Sequence, residues 1–151
     1  MYPVLKRSFV KSSTRLQSSV AGAELIVTER EKKVTRVTMN NPDKLNGWTF
    51  NMLTSLFGTL DDLADDEDTE VVVLTGTDPY YCAGASLSEH FTLMSPRKFH
   101  AFIAENNERL FGKFLNFPKP LLIAANGPAV GGAVTSALLC DGRLSGGGRF
   151  R

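Results

Sequence analysis

The chain has 151 residues, 42% of them hydrophobic and 22% charged, a balance that suits one globular domain around a single core. A formal net charge of +1 gives no electrostatic reason to expect nucleic acid or an acidic membrane surface as partner. No apolar run approaches the roughly 20 residues of a membrane-spanning helix. The two cysteines, Cys82 and Cys140, lie far apart beside apolar residues and read as buried free thiols in a reducing compartment.

Charge is unevenly placed. Residues 1–23 carry Lys6, Arg7, Lys11 and Arg15 without an acid, interleaved with Ser8, Ser12, Ser13, Ser18 and Ser19. Basic, serine-rich and acid-free is the composition of a mitochondrial transit peptide, so residues 1–22 are expected to be an address outside the fold. The last three residues, Arg149-Phe150-Arg151, are not a peroxisomal address of the Ser-Lys-Leu type, which leaves the mitochondrial matrix as the expected location.

Ala23–Glu29 and Lys33–Met39 are predicted strands on either side of a polar turn, Arg30–Lys32. Asn40-Asn41-Pro42-Asp43 then breaks the chain. From Thr49 to about Ala64, Phe50, Leu53, Leu56, Phe57, Leu60 and Leu63 recur at spacings of three and four and describe one helical face. Asp61, Asp62, Asp65 and Asp66 crowd its C-terminal end, where the helix dipole disfavours negative charge. With no His or Cys beside them, they predict a solvated helix end and no metal site. Glu70–Thr75 is almost wholly apolar and β-branched, the mark of a parallel strand covered on both faces. Gly76-Thr77-Asp78-Pro79 turns the chain into Tyr80-Tyr81 and the small-residue run Cys82–Leu87. Ser95 and Pro96 predict a helix start, with Phe99, Phe102, Ile103, Leu110 and Phe114 on one face. Phe117-Pro118-Lys119-Pro120 ends that helix and feeds a strand, Leu121–Ala125. The order β-β-α-β-α-β-α gives an α/β domain whose later strands run parallel across helical crossovers. Residues 142–151 carry four glycines and three arginines without periodicity, and are expected to be an unordered tail after a domain spanning 23–141.

Asn126-Gly127-Pro128-Ala129-Val130-Gly131-Gly132-Ala133 stands between that last strand and an apolar run from Val134 to Cys140. A strand that ends in a Gly/Pro loop and enters a helix places bare backbone N–H groups at a positive helix end. Tight packing alone would account equally well for the glycines. Ala83-Gly84-Ala85 forms a second small-residue loop at a strand end, and ligands of open parallel sheets bind outside the carboxyl ends of strands. Two N–H groups converging there could hold a carbonyl oxygen that gains negative charge during reaction.

Three runs carry a resemblance: Val37-Thr38-Met39-Asn40-Asn41-Pro42-Asp43-Lys44-Leu45-Asn46; Val71–Gly76 followed by Cys82–Leu87; and Lys119-Pro120 with Ala125–Gly131. In this order and spacing they resemble the enoyl-CoA hydratase/isomerase (crotonase) superfamily, over about Leu25 to Asp141. The resemblance implies the N-terminal part of a crotonase-type ββα spiral core, the fold shared with Clp proteases. It implies an acyl-CoA thioester as substrate, with coenzyme A as part of that substrate and no separate cofactor. The Ala85 and Gly132 N–H groups would form the oxyanion hole. Lys44, Leu45, Asn46, Ala83, Gly84, Ser86, Leu87 and Gly131 would border the acyl-CoA. Ser86 departs from the aspartate that most members place there. Thr135 stands where hydratases carry one of two catalytic glutamates, so the pattern is similar to the Δ3,Δ2-enoyl-CoA isomerases of fatty acid β-oxidation, which move a proton on a single glutamate. In the family that glutamate follows the Cys140-Asp141 position, beyond the resembling part of this chain. The expectation is therefore a C-terminally truncated member without its base. Glu89 and Glu105 are alternative carboxylates, read as surface residues. Family members form trimers or hexamers. Rival readings are a hydratase, a non-catalytic acyl-CoA-binding subunit, and a hydrolase built on Ser86 or Ser88 with His90 or His100.

Overall fold

Thr35, Val37 and Met39 alternate with Val34, Arg36 and Thr38 along one strand, and that alternation decides which way the sheet faces. The first set is buried, Val37 and Met39 completely; the second is half-buried or exposed. The same division recurs in the next two strands, where Val72, Leu74, Leu121 and Ile123 are wholly buried while Val71, Val73, Leu122 and Ala124 are half-buried.

The computed structural model describes residues 24–86 and 95–145. Its elements are β1 (Ile26–Glu31), β2 (Val34–Met39), a 3-10 turn (Pro42–Lys44), α1 (Phe50–Asp65), β3 (Val71–Gly76), α2 (Pro96–Leu115), β4 (Leu121–Ala125), α3 (Gly132–Leu139) and β5 (Gly142–Ser145). The strands form one sheet in sequence order, β1 antiparallel to β2 and all later neighbours parallel. Parallel strands laid down in sequence order with right-handed crossovers put every connecting helix on the same side. The core therefore lies on one face, where Met52, Leu56, Phe57, Leu60 and Leu63 of α1, Leu110 and Phe114 of α2, and Ala133 and Ala137 of α3 join the buried strand residues.

The predicted α/β class, the strands, the helices and their order are present. Two boundaries differ. β1 runs through Arg30 and Glu31, which pair with Thr35 and Val34, so the turn falls on Lys32, at φ 55°, and Lys33. More substantially, residues 142–145 are not a tail. They form β5, in register with Leu122–Ala125 of β4. Composition pointed the other way because it counts apolar side chains, whereas a parallel ladder is made of backbone groups that glycine and arginine also carry. Asp141 starts the pairing: its N–H donates to Leu121 O at 3.0 Å, and its carboxylate accepts from Leu121 N–H at 2.8 Å.

At the acidic end of α1, Asp61, Asp62 and Asp65 are exposed as expected, while Asp66 is half-buried and acts as an anchor. Arg30 pairs with Asp66 and lies 3.5 Å from Asp68, and Lys33 lies 3.5 Å from Asp68. Thr69 Oγ1 donates to Asp66 at 2.6 Å and meets Thr35 Oγ1 at 2.8 Å in the interior. The Thr69 hydroxyl, followed by the Asp68 N–H and the charges of Arg30 and Lys119, holds the Asp66 carboxyl below the usual range against the opposing effect of burial. Lys119 Nζ donates to Leu63 O at 2.6 Å and Asp66 O at 2.7 Å, placing a cation on the last carbonyls of α1. Among the described residues no group of three His, Cys, Asp or Glu side chains could hold a metal ion. No helix among them is long and apolar enough to cross a membrane.

Candidate active site

The carboxyl ends of β2, β3 and β4 each release the chain into a loop, and two asparagines bind these loops to one another. Asn46, wholly buried and at φ 54°, accepts the Asn41 N–H through Oδ1 at 2.9 Å. Its Nδ2 donates to Thr77 O and Tyr80 O, each at 2.7 Å. Asn126 accepts the Gly76 N–H at 3.1 Å and donates to Asp78 Oδ1 at 2.9 Å. Both precede a glycine, Gly47 and Gly127. The Asn-Gly pairs that read as turn punctuation are thus also side-chain clamps.

Beyond the clamps the loops add a small second layer of paired backbone. Trp48 bridges Ala85, and Cys82 bridges Ala129, both in parallel sense. The Ala83 N–H donates to Leu45 O at 3.0 Å, the Trp48 N–H to Gly84 O at 2.7 Å, and the Ser86 N–H to Trp48 O at 3.0 Å. The Val130 N–H donates to Cys82 O at 3.1 Å, and the Gly84 N–H reaches Cys82 Sγ at 3.3 Å. The loop from β3 is therefore held between the loop from β2 on one side and the loop from β4 on the other. Gly84 shows how closely: a Cβ there would lie 2.4 Å from Val130 O and 3.7 Å from the Gly132 nitrogen. No side chain fits, and the Ala83–Ala85 and Val130–Gly132 backbones lie side by side.

Of the N–H groups of these loops without an acceptor among the described residues, which include those of Ala129 and Gly131, two stand where the adjoining backbones lie side by side. Ala83, Gly84 and Ser86 donate to their neighbours, while the Ala85 N–H has no acceptor among the described residues. Ala133 and Val134 donate back to Val130 O and Gly131 O, while the Gly132 N–H, first in α3, likewise has none among the described residues. Gly131, at φ 57° and ψ −127°, makes the turn that presents Gly132 at the helix start, a conformation open essentially to glycine alone. Ala85 is exposed and Gly132 half-exposed. Unpaired N–H groups on adjoining loops, one at a helix N-terminus, are the equipment needed to hold an oxygen that carries or acquires negative charge.

Of the residues singled out from the sequence, Leu45, Ala83, Gly84, Ala85, Ser86, Gly131 and Gly132 come together around these loops. Lys44 is exposed in the 3-10 turn, one residue from the Leu45–Ala83 contact. Asn46 differs from expectation: its side chain is buried and its amide engaged with backbone, so it shapes the site without facing a ligand. Leu87, Ser88, Glu89 and His90 lie outside the described residues, as do residues 1–23 and 146–151. His100 and Glu105 are exposed on α2, and Thr135 is exposed on α3. Trp48 was not foreseen, although it is the single tryptophan of the chain.

Beneath the loops the surroundings are dry. Cys82 and Cys140 are free thiols, and burial pushes both up to about 12, with Asp141 adding to the effect at Cys140. The Tyr81 hydroxyl, fully buried and without a hydrogen-bond partner among the described residues, is raised well above the ordinary tyrosine range by burial and then by the two thiols, Ser136 opposing weakly. None of these three groups is a candidate nucleophile or base near neutral pH.

The sequence and the fold both match known proteins. Residues 29–146 match the family model for enoyl-CoA hydratase/isomerase. The chain is 36% identical over 124 residues to human enoyl-CoA delta isomerase 2, covering 80% of this chain and 31% of that protein. It is 34% identical over 119 residues to the 2,3-dehydroadipyl-CoA hydratase of Escherichia coli, covering 79% and 45%. The crystal structure of an enoyl-CoA hydratase/carnithine racemase from Magnetospirillum magneticum superposes with a TM-score of 0.76 at 28% identity, covering 85% of this chain and 49% of that one. The chain belongs to the enoyl-CoA hydratase/isomerase family, has the N-terminal part of the crotonase fold, and spans less than half the length of these relatives. The family match crosses the boundary that composition placed at Asp141 and includes β5.

Proposed function

We propose that this chain binds an acyl-CoA thioester with the thioester carbonyl oxygen between the N–H groups of Ala85 and Gly132. One observation carries the reading: these two N–H groups, on adjoining loops and one of them first in a helix, have no acceptor among the described residues, as is also true of Ala129 and Gly131, while those of Ala83, Gly84, Ser86, Ala133 and Val134 are engaged. Both donors act on the oxygen that gains charge when a proton is removed from the carbon next to the carbonyl. A donor so placed contributes roughly a hundred- to a thousand-fold in rate. Lys44 is proposed to meet a phosphate of the coenzyme A moiety near the Leu45–Ala83 contact.

Within the family we assign the isomerase type, on the exposed hydroxyl of Thr135 where a hydratase carries a carboxylate. A threonine cannot exchange a proton at neutral pH, so one carboxylate remains to take a proton from one carbon of a dienolate and return it to another. On this reading the carboxylate belongs to the part of the family that this chain does not match, and the chain alone is expected to bind without turning over 3-enoyl-CoA at the rate of a longer relative. The basic, acid-free residues 1–22 support delivery to mitochondria.

Titration calorimetry with hexanoyl-CoA and with S-hexyl-CoA, a thioether lacking only the carbonyl oxygen, tests the reading. Two hydrogen bonds to that oxygen predict a preference for the thioester of about tenfold or more. Equal affinity, or no binding of either, contradicts it.

A further inference from the structure

Trp48 reaches both loops, one through its main chain and the other through its ring. Its main chain brackets Ala85: the Trp48 N–H donates to Gly84 O at 2.7 Å, and the Ser86 N–H donates to Trp48 O at 3.0 Å. With both flanking peptides fixed, the Ala85 N–H has little freedom to turn. Its ring meets the other donor. A Cβ built on Gly132 would lie 3.0 Å from Cζ3, 3.7 Å from Cε3 and 4.0 Å from Cη2, so the six-membered edge of the indole rests against the Gly132 backbone. The side chain is 1% exposed, and its Nε1–H, on the opposite edge of the indole, is buried without a hydrogen-bond partner among the described residues. Shape and not a hydrogen bond holds the ring in place, even though an unpaired buried N–H opposes folding. A closely packed interior passes a change at such a position to its neighbours, since no void absorbs it.

We propose that Trp48 is the positioning residue that sets the separation of the Ala85 and Gly132 N–H groups, and so decides whether one carbonyl oxygen can receive both hydrogen bonds. The proposal rests on the acyl-CoA reading above and goes one step past it, to the residue that spaces the donors. Shorter apolar side chains fill the interior without reaching Gly132: Trp48→Phe and Trp48→Leu leave the fold standing and let the helix start settle toward the ring's former place.

The test compares the dissociation constants of hexanoyl-CoA and S-hexyl-CoA for wild type, Trp48→Phe and Trp48→Leu, with circular dichroism and melting of each. Wild type is expected to prefer the thioester about tenfold, and both variants to lose most of that preference while their spectra remain native. S-hexyl-CoA, which has no carbonyl, should bind all three alike. No preference in wild type overturns the acyl-CoA reading itself. A wild-type preference that both folded variants retain within about twofold overturns the role of Trp48 alone. Should the variants not fold, the emission of the single tryptophan in wild type decides. A shift in its maximum with hexanoyl-CoA and not with S-hexyl-CoA supports the proposal, and the same response to both overturns it.

Discussion

At the scale of single residues, the site is governed by side chains that are small, absent or neutral. Gly84 and Gly132 are glycine because backbone and indole already fill the space a Cβ needs, and Gly131 because its backbone conformation excludes other residues. Cys82, Cys140 and Tyr81 lie under the loops as neutral groups, and this has a consequence for pH. Each has a folded pKa raised by burial, so between the unfolded and folded values the native state holds protons that the unfolded chain has released. Stability is then complete below the unfolded cysteine value, about 8.5, and declines as pH rises from there toward about 12. Denaturant midpoints should be level from neutral pH to about 8 and fall above 9, and an unchanged midpoint up to pH 11 would contradict the burial of these groups. The Asp66 shift acts in the opposite direction, its contribution being lost as pH falls through the low folded value. Much of the residue scale was legible in the sequence: the motif around Ala85 and Gly132 can be read as letters because glycine and alanine spacing encodes close backbone approach. Trp48 was not, because an apolar residue near a turn gives no sign of which two loops it will touch.

At the scale of elements, periodicity was a sound guide wherever side chains decide the structure. The alternating strands and most of the α1 face follow from it, as do Leu110 and Phe114 of α2, whereas Phe50 and Ile103, expected on those faces, are exposed. It failed at β5, where an aspartate and a backbone ladder do the ordering, and at the asparagine clamps, most of whose partners are more than thirty residues away in the chain. Asn46 is the clearest case. Read as a ligand-facing residue, it joins the exit of β2 to the exit of β3 from the interior. Replacing Asn46 with Ala strands the Asn41 N–H and the Thr77 carbonyl and leaves Tyr80 O only its longer bond from Asn126. At about 1–3 kcal/mol for a buried group left unsatisfied, the loss should be on the order of 3 kcal/mol. Chemical denaturation of Asn46→Ala measures it, and a loss under about 1 kcal/mol would show that the amide does not join the loops as described.

At the scale of the whole molecule, one face of the sheet carries all three helices and the other carries none among the described residues. That second face holds Val34 at 41% exposure and Leu144 at 66%, with Val71, Val73, Leu122 and Ala124 half-buried between them. β5 is an edge whose outer backbone groups have no strand partner among the described residues. An apolar face beside an open edge favours association. Sedimentation of the 151-residue chain should accordingly be concentration-dependent, whereas a monomer at every concentration with a sharp, reversible thermal transition would contradict this. The carbonyl that the Ala85 and Gly132 N–H groups are proposed to hold reports on them most directly. Hexanoyl-CoA labelled with carbon-13 at the thioester carbonyl should show a downfield shift of that resonance on binding, as hydrogen bonds draw electron density toward the oxygen. A bound ligand whose carbonyl resonates where the free thioester does would mean that Ala85 and Gly132 do not form an oxyanion hole.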